Sequence, residues 1–532
     1  MDSPTFDVRT QNWIPIVWPD GSREELPLRD VLVRAHDIRA IADEAPIVEF
    51  GLYRLLTAMV TDAFELAGLS RLGALLEKGR FDPARIDAYF DRPDCRDRFD
   101  LFHPTHPFLQ DGSLGGEEKP FGGCMPLTPS GTNAIHFHHA SELDFAVSPA
   151  AAARLLTAIA PFMTAGGAGL APSINGAPPW YILLEGRRLF QTICLNCCVL
   201  PLPNAVGSGV PPWRGSGRIP AEQRTSASLI ESLTWQPRRI RLIPGAGGVC
   251  SVTGRCSDTL VRTMQFGPGA RAGFEWRDPS VAYRIGDKGP TPLRPQEGKE
   301  LWRDTAPLAL LNQKDYQSDE AGVRFERPRL VDQFERLLQD RYLPEDHRGH
   351  LDLTAYGMRT DLKMKVFEWQ RERLAIPAPL VWKSQFHRYA LEAIELADSV
   401  AYQVQKAVKH CYPRGGKSNR RAFGRRIENA QHRFWSALRE PYNEFLRSLA
   451  TADEQGRVAA TDVWKEHVRR EGWEALGLAI DDLDTASEAI CRQVQARAMF
   501  QRSVHKILQD PEEKMKRLAE RKQRKAARGG SA

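Results

Sequence analysis

The chain has 532 residues, of which 42% are hydrophobic and 26% charged, with a formal net charge of +6, a length that exceeds one hydrophobic core and predicts several domains. Its nine cysteines follow no compact disulfide spacing, and the N-terminus Met1-Asp-Ser-Pro-Thr5 lacks the basic and apolar regions of a secretory signal. The longest apolar run, around Ala150 to Pro172, is broken by Arg154 and too rich in alanine and glycine for a bilayer span, so a soluble, reduced, cytoplasmic protein without a membrane segment is expected.

In chain order the first motif is Asn12-Trp-Ile-Pro15, followed by helical periodicity from Ile47 to Leu66. His106-Pro-Phe-Leu-Gln110 and Ser130-Gly-Thr-Asn133 are the next two loops. Behind them stands His136-Phe-His-His139 with Glu142 and Asp144. Histidine and carboxylate this close together suit a metal or acid/base chemistry, so a metal-dependent nuclease built on His136, His138, His139 and Asp144 is the alternative reading. An exposed loop of hydrogen-bonding side chains accounts for the same residues, and no second acidic or histidine cluster supports the nuclease.

A helical pattern over Ala150–Phe162 leads into Gly166-Gly-Ala-Gly169, whose missing side chains permit close approach of backbone to a partner. Pro172-Ser-Ile-Asn-Gly-Ala-Pro-Pro-Trp180 follows, and Trp180-Tyr-Ile-Leu-Leu184 reads as a strand. Cys194-x-x-Cys197 has zinc-ligand spacing but lies in the apolar, helix-like run Leu189–Leu200, where buried thiols are the simpler reading. Beyond Trp235-Gln-Pro237, Arg239-Ile-Arg-Leu-Ile243 reads as a strand bounded by Pro and Gly. Cys250 and Cys256 flank a turn at loose spacing. No metal and no cofactor are expected. Trp276-Arg-Asp-Pro279 and Tyr356-Gly-Met-Arg-Thr-Asp-Leu-Lys-Met-Lys365 complete the series of loops, which are of a kind that holds a shaped contact surface on a rigid scaffold. No phosphate-binding loop, dinucleotide fingerprint or serine-nucleophile elbow occurs, which argues against helicase or ATPase work by this chain.

Past Pro377-Ala-Pro379 the pattern changes. Ala390, Ile394, Ala397, Ala401, Val404 and Val408 form one helical stripe. Phe423, Ile427, Ala430, Phe434 and Leu438 form a second, ending before Pro441. Further helices are expected over Thr461–Leu476 and Ala486–Leu508, making a four-helix bundle. From residue 381 onward 29 Lys/Arg stand against 20 Asp/Glu, so the first 380 residues carry about −3. The basic loop Lys409–Arg426 and a basic tail from Lys514 to Arg528 suit contact with nucleic-acid phosphates. The expected class is α+β: a mixed α/β body over 1–378, a helical bundle over 379–510 and a basic tail over 511–532.

Taken in order, the Asn-Trp-Ile-Pro start, His-Pro-Phe-x-Gln, Ser-Gly-x-Asn, the glycine loop before Asn-Gly-x-Pro-Pro, Trp-Gln-Pro and the C-terminal bundle resemble the CasA family, the large subunit of the type I-E CRISPR Cascade complex. The resemblance runs over nearly the whole chain. It implies a non-catalytic subunit that recognises the protospacer-adjacent motif in double-stranded target DNA. It also implies help in opening the duplex for guide-RNA pairing, recruitment of a separate helicase-nuclease, and backbone and small subunits as partners. Gly166, Gly167 and Gly169 match the family's minor-groove glycine loop. The base-pair wedge falls at Thr360, Asp361, Leu362 and Lys363, where apolar Leu362 replaces the Asn-Gln-Ala of the best-known member. An apolar side chain is suited to unstacking a base step. Arg271, with Gln265 behind it, stands where the family has a lysine finger. Thr132, Asn133, Phe137 and His138 match a loop that contacts the motif region and the guide end. The paired zinc cysteines of some members have no convincing counterpart here.

Overall fold

The computed structural model describes residues 4–124, 145–166, 169–311, 324–343, 349–360, 366–412, 417–481, 483 and 487–509. It divides into two compact units, one of residues 1–301 and 307–375, the other of 302–306 and 376–532.

The first unit is built on a central helix, Pro46–Ala63, with proline at its first turn and buried residues on every side. Such a helix lies inside a core rather than on its surface. Gly51 explains how it is approached. A Cβ there would stand 2.6 Å from the Thr157 backbone, so only glycine lets the Pro149–Thr157 helix cross so closely. That second helix opens on Ser148, whose hydroxyl accepts from the Ala151 N–H at 3.3 Å. The helical patterns read around Ile47 and Ala150 are therefore both present.

Among the described residues there are four three-stranded sheets; Gly289–Pro292, Tyr283–Gly286 and Arg324–Glu326 form one, and three others carry loops. One has the order Val366–Pro377, His350–Thr360, Tyr181–Leu184. Another pairs Glu118–Pro120, Cys256–Pro268 and Arg238–Val249. The long hairpin of this sheet runs past Pro244, which the sequence pattern took for a strand end. A register shift between Ile243 and Pro244 places the proline at an irregularity, where its missing N–H costs no ladder bond. Beyond it the strand is largely exposed through Gly245–Val249, so no apolar alternation marks it. The third sheet holds Ile14–Val17 between Arg23–Leu26 and Ala40–Ile41.

The second unit contains four long helices, His387–His410, Lys417–Thr451, Glu454–Ile480 and Ser487–Gln509. All six residues of the first predicted stripe are buried. Two boundaries differ from the expected ones. The second helix continues through Pro441, because Tyr442, Phe445, Leu446 and Leu449 beyond it are all buried and hold the turn despite the lost backbone donor. The third begins at Glu454, capped by the Asp453 carboxylate accepting from the Gly456 N–H at 2.8 Å. Its first turns are largely exposed and the buried positions start only at Ala460, which hid them from periodicity. Trp302, from the short segment 302–306, enters this core with its ring 5.3 Å from Tyr442 and 5.9 Å from Trp435.

Among the described residues no helix is long and apolar enough to cross a membrane.

Candidate nucleic-acid interface

The glycine loop is a closed excursion between the Ile159–Phe162 helical turn and Ser173. Its neck is shut by the Ser173 N–H donating to the Met163 carbonyl at 2.8 Å, and the Gly166 N–H donates to Leu170 at 3.1 Å. Within this neck lies Arg238, only 2% exposed. Its guanidinium donates to the carbonyls of Thr164 (2.6 Å), Pro237 (2.9 Å) and Ala171, bracketing both legs of the loop. A buried guanidinium holding three carbonyls at once satisfies backbone that no sheet or helix reaches. Gly169 has φ +82°, a conformation side-chain-bearing residues rarely adopt. At Gly166 a Cβ would press to 3.0 Å from Leu170 and 3.5 Å from Arg238. Gly167 lies outside the described residues.

The same segment fixes a second element. The Gly269 N–H donates to Pro237 (3.0 Å) and the Ala270 N–H to Gln236 (2.9 Å), and a Cβ on Gly269 would sit 2.4 Å from the Gln236 carbonyl. This turn delivers Arg271 onto a two-residue strand paired in parallel with Gln223–Arg224. The Arg271 side chain is exposed and makes no hydrogen bond or ion pair among the described residues. Residues 236–238 thus join the glycine loop, through the Arg238 side chain, to the turn before Arg271, through backbone. Gln265, named as standing behind Arg271, lies in the Cys256–Pro268 strand and donates to the Gly116 carbonyl at 3.2 Å.

Thr360 ends the strand of a different sheet. The root of its hairpin is anchored inward. Tyr356 donates to the buried Glu49 carboxylate, which also pairs with Arg371 at 2.7 Å. Burial raises the Glu49 pKa, with the Tyr356 hydroxyl and the Arg371 charge acting against it. Gly357 lets the Trp180 ring approach this strand closely, since a Cβ there would be 2.7 Å from it. Asp361, Leu362 and Lys363 lie outside the described residues, as do Thr132, Asn133, Phe137, His138 and the whole His136–Asp144 cluster.

Several motif residues that resembled contact surface are internal. Trp13, Trp180, Trp235 and Trp276 are all buried. Asn175 and Asp278, from two separate loops, meet at the centre of the unit. The Asp278 carboxylate accepts from Arg54 at 2.9 Å, from Asn175 at 3.1 Å and from Ser280 at 2.6 Å. Burial opposes ionisation of Asp278, but the Arg54 charge and the Ser280 hydrogen bonds outweigh it and hold its pKa below the ordinary range. The sequence signal for this network was the polar residue inside each aromatic-proline loop.

Among the described residues the cysteines are free thiols. Cys194, Cys197 and Cys198 are buried, and burial pushes the Cys197 thiol up to about 12. Cys250 is buried and Cys256 exposed at the hairpin tip, both as free thiols. Among the described residues no group of three or more His, Cys, Asp or Glu is placed to hold a metal ion.

Residues 7–475 match the family model described as CRISPR-associated protein Cse1. The chain belongs to the CRISPR-associated Cse1 family. A curated relative, CRISPR-associated protein CasA/Cse1 of Thermus thermophilus, is 29% identical over 507 residues, covering 88% of this chain and 92% of its own. Among solved structures, Cse1 from Acidimicrobium ferrooxidans superposes with a TM-score of 0.72 at 22% identity, covering 96% of this chain and 99% of that one. A chain of a CRISPR RNA-guided surveillance complex gives 0.70 at 20% identity, covering 95% and 100%. The Cse1 fold thus includes both the α/β unit with its loops and the helical unit.

Proposed function

We propose that this Cse1-family chain is the non-catalytic large subunit of a type I-E RNA-guided surveillance complex, and that it reads the protospacer-adjacent motif in double-stranded DNA. The observation that carries the reading is the junction at residues 236–238. It holds a glycine-rich loop and an exposed arginine unpaired among the described residues, two features suited to minor-groove contact: backbone close to the base edges and a cation in a narrow, negative groove. Gly166, Gly167 and Gly169 approach the groove, and Arg271 enters it. The hairpin tip at Thr360, Asp361, Leu362 and Lys363 is driven between base pairs to start opening, with Leu362 as the apolar wedge. Thr132, Asn133, Phe137 and His138 contact the motif region and the guide end. Minor-groove readout separates mainly A·T from G·C, so several related motifs are tolerated. The chain acts by binding, beside the guide RNA and the backbone and small subunits, and its DNA-bound state recruits the helicase-nuclease. The basic face of the helical unit holds displaced strand.

The test is duplex binding by the assembled complex with and without this chain, on targets with randomised flanking bases. Selective binding that requires the chain, and that Leu362→Ala and Gly167→Asp abolish, supports the reading. Binding that is unchanged without the chain, or a single strictly required trinucleotide, contradicts it.

A further inference from the structure

A cleft of about 150 Å³ opens beside the Gln236 segment, lined by Arg98, His106, Trp213, Arg218, Trp235 and Gln236 among others. Two motifs that resembled separate contact loops, His106–Gln110 and Trp235–Pro237, both contribute to its wall, and Gln236 donates to the Leu109 carbonyl at 3.2 Å. Two of its polar groups have no acceptor. The Nη1 atom of Arg98 and the Nε1 atom of Trp235 are both buried, and neither has a hydrogen-bond partner among the described residues. Trp235 is itself only 3% exposed.

The wall is rigid. Asp111, fully buried, accepts from the Ile219 N–H at 3.1 Å, from Arg239 at 2.7 Å and from Ser113 at 2.6 Å. Gly217, at φ +73°, packs so tightly that a Cβ would be 2.5 Å from the His106 ring. Leu109 holds a left-handed φ of +56°, which a leucine adopts only where its surroundings impose it. The charge balance favours an anion. Three guanidiniums, of Arg98, Arg218 and Arg224, line the cleft against the one carboxylate of Glu231, which is already paired with Arg224 at 3.0 Å. Pro107, Leu109 and Trp213 supply apolar surface, and a cavity of about 150 Å³ accommodates one aromatic ring.

We propose that this cleft is a nucleotide subsite, taking one unpaired nucleotide with its base in the apolar part and its phosphate against Arg98 and Arg218. The base lies beside Trp235, which lines the cleft. The inference deepens the reading of the chain as a nucleic-acid-binding subunit and rests on it for the strand's identity. It is tested separately, on the full-length chain without the complex. The protein is labelled at its tryptophan indole nitrogens and titrated with uridine monophosphate, with inorganic phosphate and with acetate, the last standing for an acidic peptide side chain. The Trp235 resonance, assigned through Trp235→Phe, is expected to move with the mononucleotide more strongly than with either simple anion. Arg98→Gln should weaken that binding by about tenfold or more, while the surface variant Arg23→Gln, in the Arg23–Leu26 strand, leaves it unchanged. Thermal unfolding of each variant confirms that the unit is folded. A Trp235 resonance that ignores the mononucleotide, or that moves equally with acetate, overturns the proposal whatever duplex binding by the complex shows. Loss of duplex selectivity in the complex with mononucleotide binding intact would count against the motif-reading proposal alone.

Discussion

The two units solve the problem of internal order by opposite means. In the α/β unit the fixed points are buried charges: Arg54 with Asp278, Arg327 with Asp332 at 2.9 Å and with Glu335, and Arg238 on its three carbonyls. In the helical unit the interior is apolar and aromatic, as where Trp464 packs 5.5 Å from Tyr442. The Trp464 indole donates to Ala393 and the Tyr442 hydroxyl to Ala390. Ion pairs such as Arg469–Glu466 and Arg433–Glu474 lie on its surface. The difference follows from the backbone. Helices satisfy their own N–H and C=O groups, so apolar packing suffices. Irregular loops do not, and each one folded inward needs a polar side chain to complete it.

The comparison can be broken most strongly at Asp278. Asp278→Ala leaves the Arg54 guanidinium, 5% exposed, without its counter-charge and should cost about 3–5 kcal/mol in denaturant unfolding of the α/β unit. The double change Arg54→Met with Asp278→Leu should be milder than either single change, because it removes both charges together. A double variant worse than the sum of the singles would contradict the account.

Acidity sharpens the same point. The folded-state pKa of Asp278 lies below its unfolded value, so its contribution is present above an unfolded pKa near ~3.9 and is lost as pH falls through the lower folded value. The stability gap between wild type and Asp278→Asn should therefore be full at neutral pH and shrink below about pH 4. A gap that widens on acidification would show that the charge is not what stabilises the site.

The helical unit should be more forgiving. Leu438 is fully buried, yet Leu438→Met should cost less than about 1.5 kcal/mol, since volume and polarity are kept. The smallest effect is expected at an exposed pair: Glu466→Ala, which removes the partner of Arg469, should change stability by no more than about 1 kcal/mol and less in high salt. A loss of several kcal/mol at Glu466 would erase the distinction between the units.

The same contrast explains what the sequence made legible. Stripes such as Ala390–Val408 report burial at a fixed period, so the helices of the second unit could be read directly, apart from the polar opening of the third and the continuation through Pro441. Trp302 carries no such signal, because a single tryptophan about 80 residues before the first helix has no periodic neighbours. In the α/β unit the loops could be found by composition, but their direction could not. Nothing in Trp276-Arg-Asp-Pro279 distinguishes a carboxylate facing solvent from one paired with Arg54, 224 positions away. The glycine loop and Arg271 were visible as residues, whereas Arg238, which joins them, falls between the Trp235–Pro237 motif and the Arg239–Ile243 strand and belonged to neither.

Arg238 holds the glycine loop in place through its three carbonyl contacts. Arg238→Met keeps the length of the side chain and removes all its donors. The direct measurement is motif selectivity of the assembled complex carrying this variant, with thermal unfolding of the isolated chain as a control for folding. The account predicts a folded chain that still enters the complex and discriminates flanking motifs at least about tenfold less well, as expected when charge-assisted hydrogen bonds are lost. Wild-type selectivity in a folded Arg238→Met complex would contradict it.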